Sequence, residues 1–412
     1  MTTEAVTKQN SPILDGIRVV ELAAWTFVPS AGAVLADWGA DVIKIEHPET
    51  GDPQRGLISS GVVAGAGAVN HFVEQPNRGK RSVGVDVANP DGLEVLYTLV
   101  ESADVFITNL LPDSRRRLGV DVEDIRARNP RIVYGRGHGY GSKGDEAERG
   151  GFDLAAYWSR GGIGDAYAPS GGDFPPAQRP AFGDLFGGFA IASGVVGALL
   201  RRERTGEPAV VDVSLLGSAL WQLSPDVVAA GIIGRPVPKF DLEDMPNPVA
   251  NLYRTADGRF LSFVLLQADR FWPDLCARIG RPDLITDERF GDARARFGNR
   301  RECIAELRST FESQPLVHWE EQLRGFDGVW DVLRDAREVH DDPQVVANGY
   351  LPRLRTDDGT AFALVDSPVQ FDERPNASRR APEHGEHTDA VLLEAGYDHD
   401  KIIALKESGA IL

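Results

Sequence analysis

One carboxylate in the 412-residue chain stands where chemistry could use it. Gly183-Asp184-Leu185-Phe186-Gly187-Gly188 puts Asp184 at the start of a long apolar stretch that reads as a helix. Two readings of Asp184 are open. Asp is a common helix N-cap, its side chain accepting a backbone N–H of the first turn. The same helix end keeps a carboxylate ionised, and glycine N–H groups beside it could hold a developing oxyanion. Other motifs carry less. Gly139-Tyr140-Gly141-Ser142-Lys143-Gly144 matches GxGxxG, but an acidic segment follows it and not an apolar helix face. It therefore reads as a loop over a site, a candidate lid, more than a pyrophosphate cradle. His384 and His387 form the one close histidine pair, with no third ligand evident. No Gly-x-Ser-x-Gly elbow is present to anchor an esterase triad.

Basic clusters are informative because the chain is acidic. Forty-four Lys and Arg against 62 Asp and Glu leave a formal charge of −18. A field of that sign repels nucleic acid and anionic lipid, so neither is an expected partner. An anionic ligand must be held by local cations. Arg78, Lys80 and Arg81 form one cluster, and Arg115, Arg116 and Arg117 another. Both are expected at strand termini, where open α/β sheets place ligands. A solvated charge face is the competing reading.

These residues need a scaffold, and the first half of the chain supplies one. Ile17–Ala23, Val42–Glu46, Ser82–Val87, Asp104–Asn109, Arg131–Gly135 and Ala209–Val213 are β-branched runs. Between them lie helical stretches at Ser30–Trp38, Asn89–Ser102 and Asp184–Thr205, with Gly206 as a C-cap. Strand and helix in alternation predict βαβ units and an open α/β sheet. Gly187, Gly188, Gly194 and Gly197 weaken the long helix, so they predict close packing against another backbone. The first βα turn, Ala23 to Pro29, lacks the glycines of a dinucleotide site, which argues against NAD.

From Arg235 to Asn251 Pro, Asn and Asp rise, which marks a linker to a smaller unit. Strand-like pieces return at Tyr350–Leu354 and Ala361–Val365. The expected layout is 1–234, the amino-terminal part of a large domain; 235–330, linker and small domain; and 331–412, a return to the large one. Cys276 and Cys303, in helix-like stretches without CxxC spacing, read as buried thiols in a reducing compartment, and not as zinc ligands. The polar amino terminus lacks an apolar signal core. The longest near-apolar run, Phe189–Leu200, is short of the roughly 20 residues of a membrane span. A cytoplasmic protein is expected.

Six blocks, in order, resemble the class III CoA-transferases, a family that includes carnitine CoA-transferase, formyl-CoA transferase and α-methylacyl-CoA racemase. They are Leu14–Glu21, Gly39–Glu46, Asn77–Ser82, Gly183-Asp184, Arg204-Thr205-Gly206 and Gly385–Asp389. The resemblance implies a Rossmann-like large domain built from both chain ends, a smaller α+β domain between them, and two ring-shaped chains interlocked as a homodimer. It implies that Asp184 is the catalytic aspartate. Coenzyme A contacts would fall on Thr26, Phe27, His47, Val85, Asp86, Asn109, Leu110, Leu111 and Arg117; the basic clusters add Arg81. No permanently bound cofactor is implied; acyl-CoA is a substrate and a small carboxylic acid its partner. His47 replaces an Arg of many members, and Leu110–Asp113 replaces a Phe-Arg-Pro-Gly-like stretch.

Within the family, racemases carry His before Asp in the block matching Gly151-Phe152-Asp153. A phenyl ring at 152 moves no proton, so the acid/base pair of a racemase lacks a member. The expected activity is CoA transfer through an acyl-aspartyl anhydride and an aspartyl-CoA thioester at Asp184. A racemase and a non-catalytic CoA-binding protein are the alternatives.

Overall fold

The computed structural model describes residues 12–57, 69–170 and 174–412. They fall into two compact units. The larger comprises the chain up to residue 166, 176–235 and 343–412; the smaller comprises 167–175 and 236–342.

The larger unit is built on β1 (Arg18–Leu22), β2 (Asp41–Glu46), β3 (Arg81–Gly84), β4 (Val105–Thr108), β5 (Val133–His138) and β6 (Val210–Ser214). All pairings are parallel, in the order β3-β2-β1-β4-β5-β6. That is the order of a doubly wound nucleotide-binding sheet, whose ligand edge is the carboxyl one. Between the strands run α1 (Phe27–Asp37), α2 (His71–Asn77), α3 (Pro90–Glu101), α4 (Pro112–Arg117) and α5 (Val122–Arg128). The long α6 (Phe182–Thr205) precedes β6, and α7 (Leu215–Gln222) and α8 (Ser224–Ile233) follow it.

Strand residues alternate between two cores, as a pleat requires. Val19, Val42, Val105 and Ile107 join α1 and α6 on one face. Val20, Ile43, Val83 and Phe106 join α3 on the other. The chain end completes that second face. Ile402 and Leu405 of α13 (His399–Glu407) and Val391 and Leu392 of α12 (Thr388–Glu394) are buried in it. The glycines of α6 account for its approach to α1. A Cβ on Gly188 would lie 1.9 Å from Ser30 Oγ, and one on Gly187 2.5 Å from the Phe27 ring. Gly197 has open space instead, so the close-packing expectation fails there. By length and composition α6 is apolar enough to cross a membrane, contrary to the shorter run read from sequence; here it packs on α1, β5 and β6.

The smaller unit has an antiparallel sheet, β7 (Leu252–Arg254), β8 (Phe260–Phe263) and β9 (Trp330–Val332). It covers α9 (Ala268–Arg278), α10 (Arg300–Phe311) and α11 (Leu316–Gln322), with Cys276 and Cys303 buried in the shared core. Burial pushes both thiols up to about 12, which leaves them unreactive.

Candidate active site

Every sequence-proposed residue but one gathers at the carboxyl edge of the large sheet. Thr26 and Phe27 follow β1, His47 follows β2, Val85 and Asp86 follow β3, and Asn109, Leu110 and Leu111 follow β4. Phe27, Asn109, Leu110, Leu111 and Asp184 line one cavity of about 380 Å³. Ser114 on α4 lines it too, and Arg117 stands on the same short helix. The Thr26 hydroxyl is turned away to accept Gln54 Nε2 at 2.8 Å. His47 is exposed, and its carbonyl accepts His384 Nε2 at 2.9 Å. Val85 is buried, bonded through its N–H to Glu46. Asp86 folds back on Ala88 N–H at 2.9 Å.

Arg81 is the exception. It opens β3, so it lies at the amino edge of a parallel strand. There it holds Asp41 at 2.6 Å and Glu394 at 2.7 Å. Arg78 is bound to Asp37 at 2.6 Å, and Lys80 is buried on Glu21 at 2.7 Å. For Arg78 and Arg81 the expectation of a ligand-holding cluster fails for a topological reason, since a residue just before a parallel strand is at the wrong edge; Lys80 reaches under the first βα turn but is taken there by Glu21 and the Pro29 carbonyl. The second cluster is divided. Arg115 is buried on Asp121 and the Leu110 carbonyl, and Arg116 pairs with Glu148 at 2.8 Å. Arg117 keeps 68% of its side chain exposed, with Asp113 no nearer than 3.6 Å.

Asp184 is the third residue of α6, and it is not the cap. The residue before the helix is Ala181, in the left-handed region at φ 62°, with no side chain to offer. Asp153 does the capping. Its two oxygens each accept the Gly183 N–H at 3.1 Å, and the N–H groups of Phe182 and Asp184 bond it as well. Among the described residues the Asp184 carboxylate accepts no hydrogen bond. Burial, and then repulsion from Asp153, push its pKa up to about 7. Burial raises Asp153 too, against the pull of its N–H partners.

The glycine N–H groups of α6 cannot serve an oxyanion as expected from sequence. Asp153 takes those of the first turn, and Gly187 and Gly188 lie deep enough to bond within the helix. Helix α1 offers an alternative. It opens at Thr26 without a side-chain cap, and its first turn touches that of α6: Ser30 Oγ, which donates to the Phe27 carbonyl at 2.8 Å, lies 3.4 Å from the Asp184 carbonyl.

The first βα turn holds what sequence reasoning missed. Trp25 has φ 67°, a region costly for a bulky residue. Asp52 Oδ1 accepts its N–H at 3.3 Å, and Asn109 bridges the N–H and carbonyl of Ala24 at 3.1 and 2.6 Å. Trp25 then meets Phe152 edge to face at the cavity, 5.7 Å between centroids. His138 lines the same cavity with Nε2 on Asp212 at 2.9 Å. The Gly139–Gly144 loop leads from His138 back to Arg149–Phe152, which line the cavity as well.

Comparison with known proteins agrees with this geometry. The family model for CoA-transferase family III matches residues 14–388. (R)-2-hydroxy-4-methylpentanoate CoA-transferase of Clostridioides difficile is 30% identical over 400 residues, spanning 97% of this chain and 99% of that protein. Cinnamoyl-CoA:phenyllactate CoA-transferase of Clostridium sporogenes is 30% identical over 409 residues, 98% of each chain. The crystal structure of a CAIB/BAIF family protein from Brucella suis superposes with a TM-score of 0.80 at 27% identity, covering 94% of this chain and 100% of that one. The chain thus belongs to CoA-transferase family III and is an acyl-CoA transferase.

Proposed function

We propose that the enzyme moves coenzyme A from an acyl-CoA thioester to a carboxylic acid through covalent intermediates on Asp184. One observation carries this reading: Asp184 faces the cavity without a hydrogen-bond partner among the described residues, because Asp153 has taken the capping role. The Asp184 carboxylate attacks the thioester carbonyl and expels CoA thiolate, forming an acyl-aspartyl anhydride. The thiolate attacks the aspartyl carbonyl and releases the first carboxylate, leaving an aspartyl-CoA thioester. The incoming carboxylate attacks that thioester, and the thiolate then takes the new acyl group and frees Asp184. The uncapped start of α1 is placed to favour the oxyanion in each step. Both intermediates hydrolyse readily, so water must be excluded, and the Gly139–Gly144 loop is the proposed lid.

Thr26, Phe27, His47, Val85, Asp86, Asn109, Leu110, Leu111 and Arg117 are the proposed CoA contacts; Arg81 is withdrawn. The reaction itself needs no resident cofactor. We further propose a cytoplasmic homodimer. The support for the dimer is α8, an apolar helix that buries no residue, with Ile232 80% exposed and Trp221 before it 74% exposed. Phe152 in place of a proton carrier speaks against racemisation.

The test is trapping. With acyl-CoA and hydroxylamine present, a hydroxamate forms at Asp184, and Asp184→Asn abolishes CoA exchange. Modification at Asp153 instead would move the nucleophile.

A further inference from the structure

We infer that the acyl group handled here belongs to a monocarboxylic acid with an apolar, branched or aryl body, and that Trp25 and Phe152 select it. The inference rests on the transfer reading above and deepens it. With Phe27, Leu110 and Leu111 given to CoA, the large apolar side chains left to the acyl group around Asp184 are Trp25, Phe152 and Leu215. The cavity of about 380 Å³ must hold the thioester end of CoA beside the acyl group.

Two features separate the aromatic pair from ordinary core packing. Trp25 and Phe152 are 37% and 66% exposed, yet they touch each other at the cavity. The Trp25 backbone is also held in a strained left-handed conformation by Asp52, and strain of this kind persists where neighbours over-determine it. An indole whose backbone is fixed in that way, and which lines the cavity while more than a third exposed, offers its apolar surface to a substrate instead of filling a core.

The cations of the wall point in the same direction. Among the described residues lining the cavity the basic side chains are His138 and Arg149. His138 is held by Asp212, and Arg149 by Glu146 at 2.6 Å with its guanidinium over the Tyr140 ring. A second carboxylate on the acyl group would enter beside Asp184 with neither cation unengaged, in a chain of net charge −18. A buried charge without a partner is strongly disfavoured, whereas each added methylene against an apolar wall improves discrimination about tenfold or more.

The experiment reads the first half-reaction alone. Free CoA thiol released in the presence of hydroxylamine is followed with 4-methylpentanoyl-CoA, 3-phenylpropanoyl-CoA, succinyl-CoA and glutaryl-CoA. The rate of the Asp184→Asn variant is subtracted. We expect kcat/KM for the two apolar donors to exceed that of the dicarboxylic donors by about a hundredfold. Phe152→Ala should narrow this ratio about tenfold, and Phe152→Lys should narrow it further by giving the second carboxylate a partner. Equal or greater rates with succinyl-CoA or glutaryl-CoA overturn the inference while leaving transfer at Asp184 standing. An unmoved ratio in both variants removes Phe152 from selection and overturns the inference as stated. No Asp184-dependent thiol release with any donor overturns the transfer reading, and the inference with it.

Discussion

Two sets of charge flank the first βα turn, and they are wired in opposite ways. Beneath the turn Glu21, Lys44, Lys80 and Asp52 are buried together. Lys80 holds Glu21 at 2.7 Å, and Lys44 spans Glu21 at 3.2 Å and Asp52 at 2.9 Å. Burial works against both ammonium groups: at Lys44 Asp52 and Glu21 outweigh it and hold the group above the ordinary lysine range, whereas at Lys80 burial and the neighbouring Lys44 outweigh Glu21 and bring it down to about 7. On the cavity side Asp184 and Asp153 are like charges, and Asp184 has no cation at hand. Compensated charge shapes the turn; uncompensated charge is left for chemistry. The two sets meet at Asp52, whose other oxygen positions Trp25.

The largest effect should come from breaking the compensated set. Glu21→Gln leaves the buried Lys44 ammonium with Asp52 alone and removes the charge that keeps Lys80 partly protonated against burial. Removing one partner of a buried pair typically costs about 3–5 kcal/mol. Urea denaturation should show a loss of that size, and the mobile turn should lower activity too. A loss below about 1 kcal/mol would mean the set is as dispensable as a surface pair, and the contrast would collapse.

The uncompensated set should behave in the reverse sense. Asp184 titrates near 7 in the folded protein and near 3.9 in an unfolded chain. A group whose folded value is raised gives stability below its unfolded value and loses it as pH rises through the folded one. Ionising Asp184 therefore opposes folding above pH 7. Asp184→Asn should melt at a higher temperature than the parent at pH 8, with the gap closing toward pH 4. A lower melting temperature at pH 8 would show that Asp184 is held by something the contrast leaves out.

The two basic clusters sharpen the comparison across the sheet. Arg117 stands at the carboxyl edge with its guanidinium exposed, while Arg81 is engaged at the amino edge. A charge-assisted bond to phosphate contributes roughly 1.5–3 kcal/mol. Arg117→Ala should raise KM for acyl-CoA about tenfold or more, increasingly so at low salt. Arg81→Ala should leave KM where it was. Reversed results would return Arg81 to the ligand edge's work.

What sequence made legible was whatever is written in consecutive residues. The β-branched runs and the helices between them announced the alternating sheet, and Gly183-Asp184 announced the carboxylate. What stayed hidden depends on residues far apart. Asp153 caps α6 from 30 positions upstream. Trp25 owes its backbone to Asp52 and Asn109, which β2 and β4 carry to the first turn. Strand β9 pairs with β8 across a long intervening stretch of helix and loop. Arg78 and Arg81 differ from expectation in direction, since a residue before a parallel strand and one after it face opposite edges, while Lys80 reaches the turn only to be buried on Glu21.

Asp153 should give the smallest and most diagnostic effect, because it acts on Asp184 by charge and by geometry at once. Asp184 must be ionised to attack, so kcat/KM for acyl-CoA should rise with pH through about 7. Burial is the larger cause of that high value and Asp153 the second. Asp153→Asn removes the negative neighbour but keeps an oxygen that can accept the Gly183 N–H. The acid limb should then move to lower pH by less than about one unit, since burial remains, a change worth under ~1.4 kcal/mol. Asp153→Ala removes both charge and cap, so it should pair the same direction of shift with a fall in the plateau rate as α6 loses its hold on Asp184. A limb that stays at the parent pH in the Asn variant would show that Asp153 is felt by Asp184 only through the helix start, and the two carboxylates would cease to be a set.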